Sequence, residues 1–283
     1  MTWQIVTDSS CDMLDFPSNG MEIGFSSVPF SICVDEHEFI DDIMLDHTAL
    51  MNAMDKSGES HTSCPAPSAW YEEFTRADQT LAITISGKLS GSLQSASIAR
   101  QMVLENHPEK KIEIIDSLST GPKLVLIAQR VVELISSGAS FERVVTEARL
   151  SVSLVKTVFS LSSFQNLVQN GRISNVVSYI AGKLNIRIIG EGSSNGHIKV
   201  KHKTRGRINT LKTILNEMET DGFTGGIVAI SHCCNEEFAH MLAERIRSKW
   251  SNVKIQIMLT RGLCSYYAER DGIILAYRQE IGV

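Results

Sequence analysis

The residues best suited to chemistry lie in one short stretch, Ser86-Gly87-Lys88-Leu89-Ser90-Gly91-Ser92, with Ser95 three residues further on. Hydroxyls and unpaired main-chain N–H groups bind anions, and glycine lets the backbone approach a ligand closely. The run before it, Leu81-Ala82-Ile83-Thr84-Ile85, is apolar and β-branched, which predicts a buried strand. The run after it, Ser92 to Glu105, predicts a helix. A strand end feeding a helix N-terminus is a seat for a carboxylate or a phosphate. The competing reading of Ser86, Ser90 and Ser92 is plain helix capping. Gly87-Lys88 is followed by Leu89 and lacks the upstream glycine, so a nucleotide phosphate loop fits poorly. A serine hydrolase needs an oriented base, and no Gly-x-Ser-x-Gly elbow occurs.

Other polar stretches sit at similar places. His61-Thr62-Ser63-Cys64-Pro65-Ala66-Pro67-Ser68 is read as an extended loop held by its prolines, with Ser68 capping a helix from Ala69 to Ala77. Thr7 to Asp12 and Asp116 to Gly121 follow predicted strands as turns. Asp8 and Asp116 suit turn and capping roles better than catalytic ones. His61, beside Thr62, reads as a surface residue ahead of the alternative of touching a ligand's head group. His232-Cys233-Cys234 suggests a metal, but neighbouring residues at a strand end point to opposite faces, so buried thiols are expected and no metal site.

The elements that must position these residues come in two styles. In the first half, strands at Gln4–Val6, Val28–Val34, Leu81–Ile85 and Ile112–Ile115 alternate with helices at Thr48–Met54, Ser92–Glu105, Pro122–Ser136 and Phe141–Val152. Pro29 marks an edge or a strand start, and Glu38 to Asp42 reads as a polar connection. This rhythm predicts an α/β unit, a parallel sheet with helices on both faces, its ligand beyond the carboxyl ends of the strands. The second half predicts strands at Thr157–Leu161, Ile186–Ile189, Ile198–Lys203, Gly226–Ser231, Lys254–Leu259 and Gly272–Tyr277. A hairpin turn spans Gly190 to Gly196, and helices are expected at Phe164–Asn170, Asn175–Leu184, Ile208–Met218 and Asn235–Trp250. That half reads as α+β with a mixed sheet, so the expectation is two domains, 1–153 and 154–283.

The bulk numbers remove some functions. With 283 residues, 43% hydrophobic and 21% charged, the chain can bury a sizeable core. Its net charge of −5 argues against a general nucleic-acid binder. Six cysteines without a C-x-x-C pair fit a reducing compartment, and the N-terminus lacks a signal pattern. No apolar run is long enough to span a bilayer, so a cytoplasmic protein is expected. Lys199, Lys201, Lys203, Arg205 and Arg207 form a basic run. It reads either as a solvated hairpin face or as a patch for an acidic partner or transient contact with an anionic membrane.

Several separated motifs resemble one family in order: Val6-Thr7-Asp8-Ser9-Ser10, Thr62-Ser63-Cys64-Pro65, Ile83 to Ser92, Ile115-Asp116-Ser117, Asn170-Gly171-Arg172-Ile173-Ser174 and Lys203-Thr204-Arg205-Gly206. Over nearly its whole length the chain resembles the DegV family of bacterial fatty-acid-binding proteins. The resemblance implies two α/β domains holding a long-chain fatty acid between them, no cofactor and no chemistry by the carrier itself. It also implies, for some members, a fatty-acid kinase as partner. Thr62 and Ser90 match the hydroxyls that bind the carboxylate, with Gly91 and Ser92 beside them and Ser63 and Ser86 as neighbours. Arg172 and Arg205 match basic positions that would face a kinase or a membrane. Kinase-linked members commonly carry a histidine near the C-terminus. Here the matching region, Gly262 to Gly272, has none, and Ser265, Tyr266 or Tyr267 stands in its place. Cys64 replaces the usual glutamine. Two other classes remain open on the residues alone: an enzyme acting on a phosphorylated or acyl small molecule at the same site, and an interaction protein that signals lipid occupancy.

Overall fold

A computed structural model describes residues 2–16, 23–173 and 186–279. The helix expected over 175–184, and Ser174 before it, lie outside the described residues. Strands β1 (Trp3–Asp8), β2 (Ile23–Val28), β6 (Gln79–Thr84) and β7 (Lys111–Asp116) form a parallel sheet in the order β2-β1-β6-β7. Helices α2 (Pro67–Phe74) and α3 (Ser92–Asn106) cover one face, burying Trp70, Phe74, Ala96 and Ala99 against Val6 and Ala82. Helices α4 (Pro122–Ser136) and α5 (Phe141–Leu154) cover the other. Both faces are covered, so β6 is buried along its whole length instead of alternating between core and solvent.

The second sheet contains β8 (Lys156–Leu161), β9 (Ile186–Gly192), β10 (Ile198–Arg205), β11 (Gly226–His232), β12 (Val253–Leu259) and β13 (Ile273–Gln279). Its order is β10-β9-β8-β13-β11-β12, mixed, with only β11 and β12 parallel. Helices α7 (Arg207–Thr220) and α8 (Glu236–Lys249) close its outer face. Helix α4 fills the space between the two sheets. Eleven of its fifteen residues are buried, and its cluster joins Ile5, Leu81 and Ile83 of the first sheet to Ala229 and Ala276 of the second. The two alanines admit the helix, which is apolar around most of its circumference as a helix buried on two sides must be. Pro122 starts it and Gly138 ends it, at φ +79°, where Gly138 N–H donates to Ile135 O and Ala139 N–H to Leu134 O.

The structure corrects several expectations. Val28–Val34 is not one strand. Pro29 has no N–H for a ladder, and the chain leaves the first sheet there to begin β3 (Ser31–Val34). The polar connection holds β4 (His37–Ile40), and the supposed loop holds β5 (Ser60–Ser63); these pair antiparallel as β4-β3-β5. Ser68 caps nothing: α2 starts at Pro67 with Ala66 as its cap, so Ser68 lies inside the first turn. Strand β9 runs on to Gly192, which shortens the hairpin turn. Helix α1 (His47–Met54) is capped by Asp46, α6 covers Gln165–Gln169, and α9 (Gly262–Ala268), unanticipated, occupies the region read as a stand-in for the histidine motif.

Candidate functional site: an apolar cavity with a polar mouth

A cavity of about 830 Å³, counting its part open to solvent, runs into the protein. Apolar walls come from Phe30, Ile85 and Leu89, from Phe159 and Leu161 of β8, from Leu167, Ile198 and Ile274, and from Leu263 and Ala268 of α9. Four polar side chains gather at one end: Thr62, Ser90, Arg172 and Tyr267. All four are partly exposed, so this polar end opens to solvent as a mouth; Ser119, Thr157 and Ile274 along the wall are buried, and exposed His197 also lines the cavity.

Each mouth residue is aimed by a local device. Thr62 alternates with exposed His61 and Ser63 on β5, so strand geometry turns it inward. Ser90 follows a tight turn in which Leu89 N–H and Ser90 N–H both donate to Ser86 O, at 2.9 and 3.2 Å. Its Oγ accepts from Ser92 N–H at 3.2 Å, which leaves the hydroxyl proton to donate elsewhere. Arg172 leaves the end of α6 through a left-handed glycine, Gly171 at φ +70°. There Gly171 N–H donates to Val168 O and Arg172 N–H to Leu167 O. The guanidinium is held by Nε–H to Leu89 O at 3.1 Å and Nη1–H to Asn170 O at 2.6 Å. Its centre lies 5.8 Å from the Tyr267 ring. Tyr267 OH and Thr62 Oγ1 are 2.8 Å apart, and burial pushes the phenol above its ordinary pKa, keeping it a neutral donor. One bond joins these two hydroxyls, so one proton of the pair is left for a ligand.

The remaining predicted residues sit elsewhere. Ser92 is fully buried and donates to Asp8 Oδ2 at 2.6 Å. Ser86 is buried and donates to Gly196 O at 2.8 Å. Gly196 must be glycine, because its φ is +85° and a Cβ there would lie 2.4 Å from Ser86 Oγ. Gly91 is exposed at the α3 N-terminus beside Cys64, Ser63 is exposed, and Arg205 is exposed at the end of β10. Ser265 is fully buried between Thr260 Oγ1 and His47 Nε2, each 2.7 Å away. Cys233 is buried and Cys234 exposed, and among the described residues no cluster of three His, Cys, Asp or Glu could hold a metal ion. The basic run is largely neutralised: Lys199 and Lys201 pair with Glu191, Lys201 also with Glu217, and Arg207 with Glu237.

A second polar system, built on three aspartates, is buried. Asp8 accepts from Ser10 N–H and Oγ–H, Ile85 N–H and Ser92 Oγ–H. Asp41 accepts from Gly262 N–H and Leu263 N–H at the start of α9, and Arg261 donates to Asp41 O and Ser27 Oγ. Burial raises the pKa of both aspartates. Asp12, which accepts from Arg261 N–H at 2.9 Å, is raised to about 6 by the same cause.

Sequence reasoning missed most of the wall. Thr157, Phe159 and Leu161 show an i, i+2 alternation that marks one face of β8. Leu263 with Tyr267 and Cys264 with Ala268 show the i, i+4 spacing of a helix face, which would have revealed α9.

These features define an α/β protein with a mainly apolar cavity and a polar mouth. The chain belongs to the DegV family, whose model matches residues 2–278. It is 38% identical to a DegV domain-containing protein of Streptococcus gordonii, over all of both chains. The structure is similar to that of the Streptococcus pneumoniae fatty acid kinase (Fak) B3 protein loaded with linoleic acid, with a TM-score of 0.96 and 37% identity over 99% of this chain and 100% of that one. It is also similar to a DegV family protein from Eubacterium eligens loaded with heptadecanoic acid, at TM-score 0.94 and 36% identity, with the same coverage.

Proposed function

We propose that this protein binds one long-chain fatty acid without transforming it and presents its carboxylate to a fatty-acid kinase. Thr62, Ser90, Tyr267 and Arg172 receive the carboxylate, and the tail enters the apolar cavity between units 1–153 and 154–283. The observation that carries the reading is a cluster of under-bonded hydroxyls and one arginine at the mouth of a mainly apolar cavity. A carboxylate shielded from water gains about 1.5–3 kcal/mol per charge-assisted hydrogen bond. Each buried methylene adds about 0.8 kcal/mol, so the tail dominates affinity and the mouth sets direction. Fatty acids held by structural relatives support the choice of ligand, and the name of the pneumococcal relative supports the kinase. None of the described helices is long and apolar enough to cross a membrane. Six free cysteines suit a carrier working in the cytoplasm.

Mass spectrometry of the purified protein under native conditions tests this. A single fatty acid bound one to one, exchangeable after delipidation, is the expected result. A delipidated protein that takes up no fatty acid of any length defeats the proposal.

A further inference from the structure

One part of the cavity wall does not suit a hydrocarbon. Thr157 shares the inward face of β8 with Phe159 and Leu161, a position where valine would serve a plain methylene chain better. Its Oγ1 lies 3.0 Å from Ser119 Oγ, and the two residues are only 6% and 5% exposed. Among the described residues this pair makes one side-chain hydrogen bond for two hydroxyl protons, so one buried donor is unspent. The backbone opposite is Gly192, where a Cβ would stand 3.4 Å from Ser119 Oγ and 3.7 Å from Thr157 Cβ. Glycine therefore leaves a niche open over the hydroxyls. Thr120, the next residue, adds a third hydroxyl to the same wall.

The niche lies well inside the cavity. Leu161 belongs to the apolar cluster that Tyr267 of the mouth packs against. Thr157 is four residues back along β8, about 13 Å at strand rise. An extended acyl chain advances about 1.25 Å per carbon–carbon bond, so that span corresponds to roughly ten carbons.

We propose that Ser119 and Thr157 form an oxygen-recognising subsite, and that the cavity prefers acyl chains bearing a hydroxyl near mid-chain. The inference rests on the fatty-acid reading. A methylene against the niche leaves the donor unspent, whereas a chain hydroxyl both accepts from it and donates to a free lone pair.

The experiment is calorimetric titration of delipidated protein with octadecanoic acid and with hydroxyoctadecanoic acids substituted at positions about 8 to 12. At least one mid-chain hydroxy acid is expected to bind about tenfold more tightly than the plain acid. In the Ser119→Ala, Thr157→Val double variant that ratio is expected to fall to near one, and in Thr157→Ser, which keeps the hydroxyl, to persist. Tight binding of octadecanoic acid with no preference for any mid-chain hydroxyl overturns the subsite and leaves the fatty-acid reading standing. An unaltered preference in either Ser119→Ala or Thr157→Val alone, as well as in the double variant, also overturns it. If neither class of acid binds, the fatty-acid reading itself has failed.

Discussion

Two residues apart at the start of α3, Ser92 and Ser90 belong to systems of opposite character. Ser92 is sealed into the Asp8 network, where the carboxylate accepts four hydrogen bonds and ties the ends of β1 and β6 to the helix. Ser90 faces the cavity with its hydroxyl proton uncommitted, near a tyrosine–threonine pair that is likewise one bond short. Both systems are built from hydroxyls, N–H groups and strand ends. Saturation distinguishes them: the filled network fixes the backbone, and the unfilled one keeps hydroxyl protons free to donate.

The sharpest way to break this comparison is Asp8→Ala. The change strands Ile85 N–H, Ser10 N–H and the Ser92 hydroxyl in a buried site, so the ligand-free protein should lose more than about 3 kcal/mol in urea unfolding. A loss below 1 kcal/mol would show that the network does not hold the fold.

Asp12 supplies the next largest effect, through pH. Its pKa in the folded protein is about 6, above the ordinary carboxylate value of about 3.9 in the unfolded chain. Between those values the folded state binds the extra proton, so the contribution of Asp12 to stability falls as pH rises from about 4 to about 6. Asp12→Asn cannot titrate. The stability of the wild type relative to this variant should therefore grow by roughly 2–3 kcal/mol as pH is lowered from 7 to 4. Parallel pH profiles for the two proteins would contradict the assignment.

At the mouth, the expected loss is in binding rather than folding. Thr62→Ala with Ser90→Ala should weaken fatty-acid affinity by about a hundredfold, read by titration of delipidated protein. The unfolding free energy of the ligand-free double variant should stay within about 1 kcal/mol, because both side chains are partly exposed and their bonds are not needed to satisfy a buried charge. A variant that unfolds as readily as Asp8→Ala would erase the distinction between the two systems.

Much of the frame was legible in the sequence. The strand–turn–helix rhythm marked the parallel sheet, and Pro122 and Gly138 bracketed α4 because both act locally on the backbone. Ser86, Ser90 and Ser92 stood out as hydroxyls among glycines, and the family resemblance pointed to Thr62 and Ser90, but Ser86 and Ser92 are committed to buried partners. Which serine keeps a free proton depends on contacts across the chain: Asp8 is 84 residues from Ser92, and Gly196 is 110 from Ser86. The small antiparallel sheet was lost because β4 is mostly exposed and carries no apolar alternation. Nor could composition reveal that Glu191 and Glu217 neutralise Lys199 and Lys201, since that pairing needs the hairpin and α7 to be folded together.

The two arginines give the finest test. Arg172 sits at the mouth on a turn that fixes its backbone, with its guanidinium bonded to Leu89 O and lying near the Tyr267 ring. Arg205 is exposed at the end of β10, paired in register with Ile186, and does not line the cavity. Charge at the mouth should matter only when solvent is excluded around it, because screening weakens an exposed charge at a distance. Arg172→Ala is therefore expected to reduce fatty-acid affinity by about tenfold, and Arg205→Ala by less than about twofold, in the same titration. An effect of Arg205 confined to transfer of the acid to a kinase would assign it to the partner surface. Equal losses of affinity in both variants would mean that long-range positive potential, not a built mouth, holds the carboxylate.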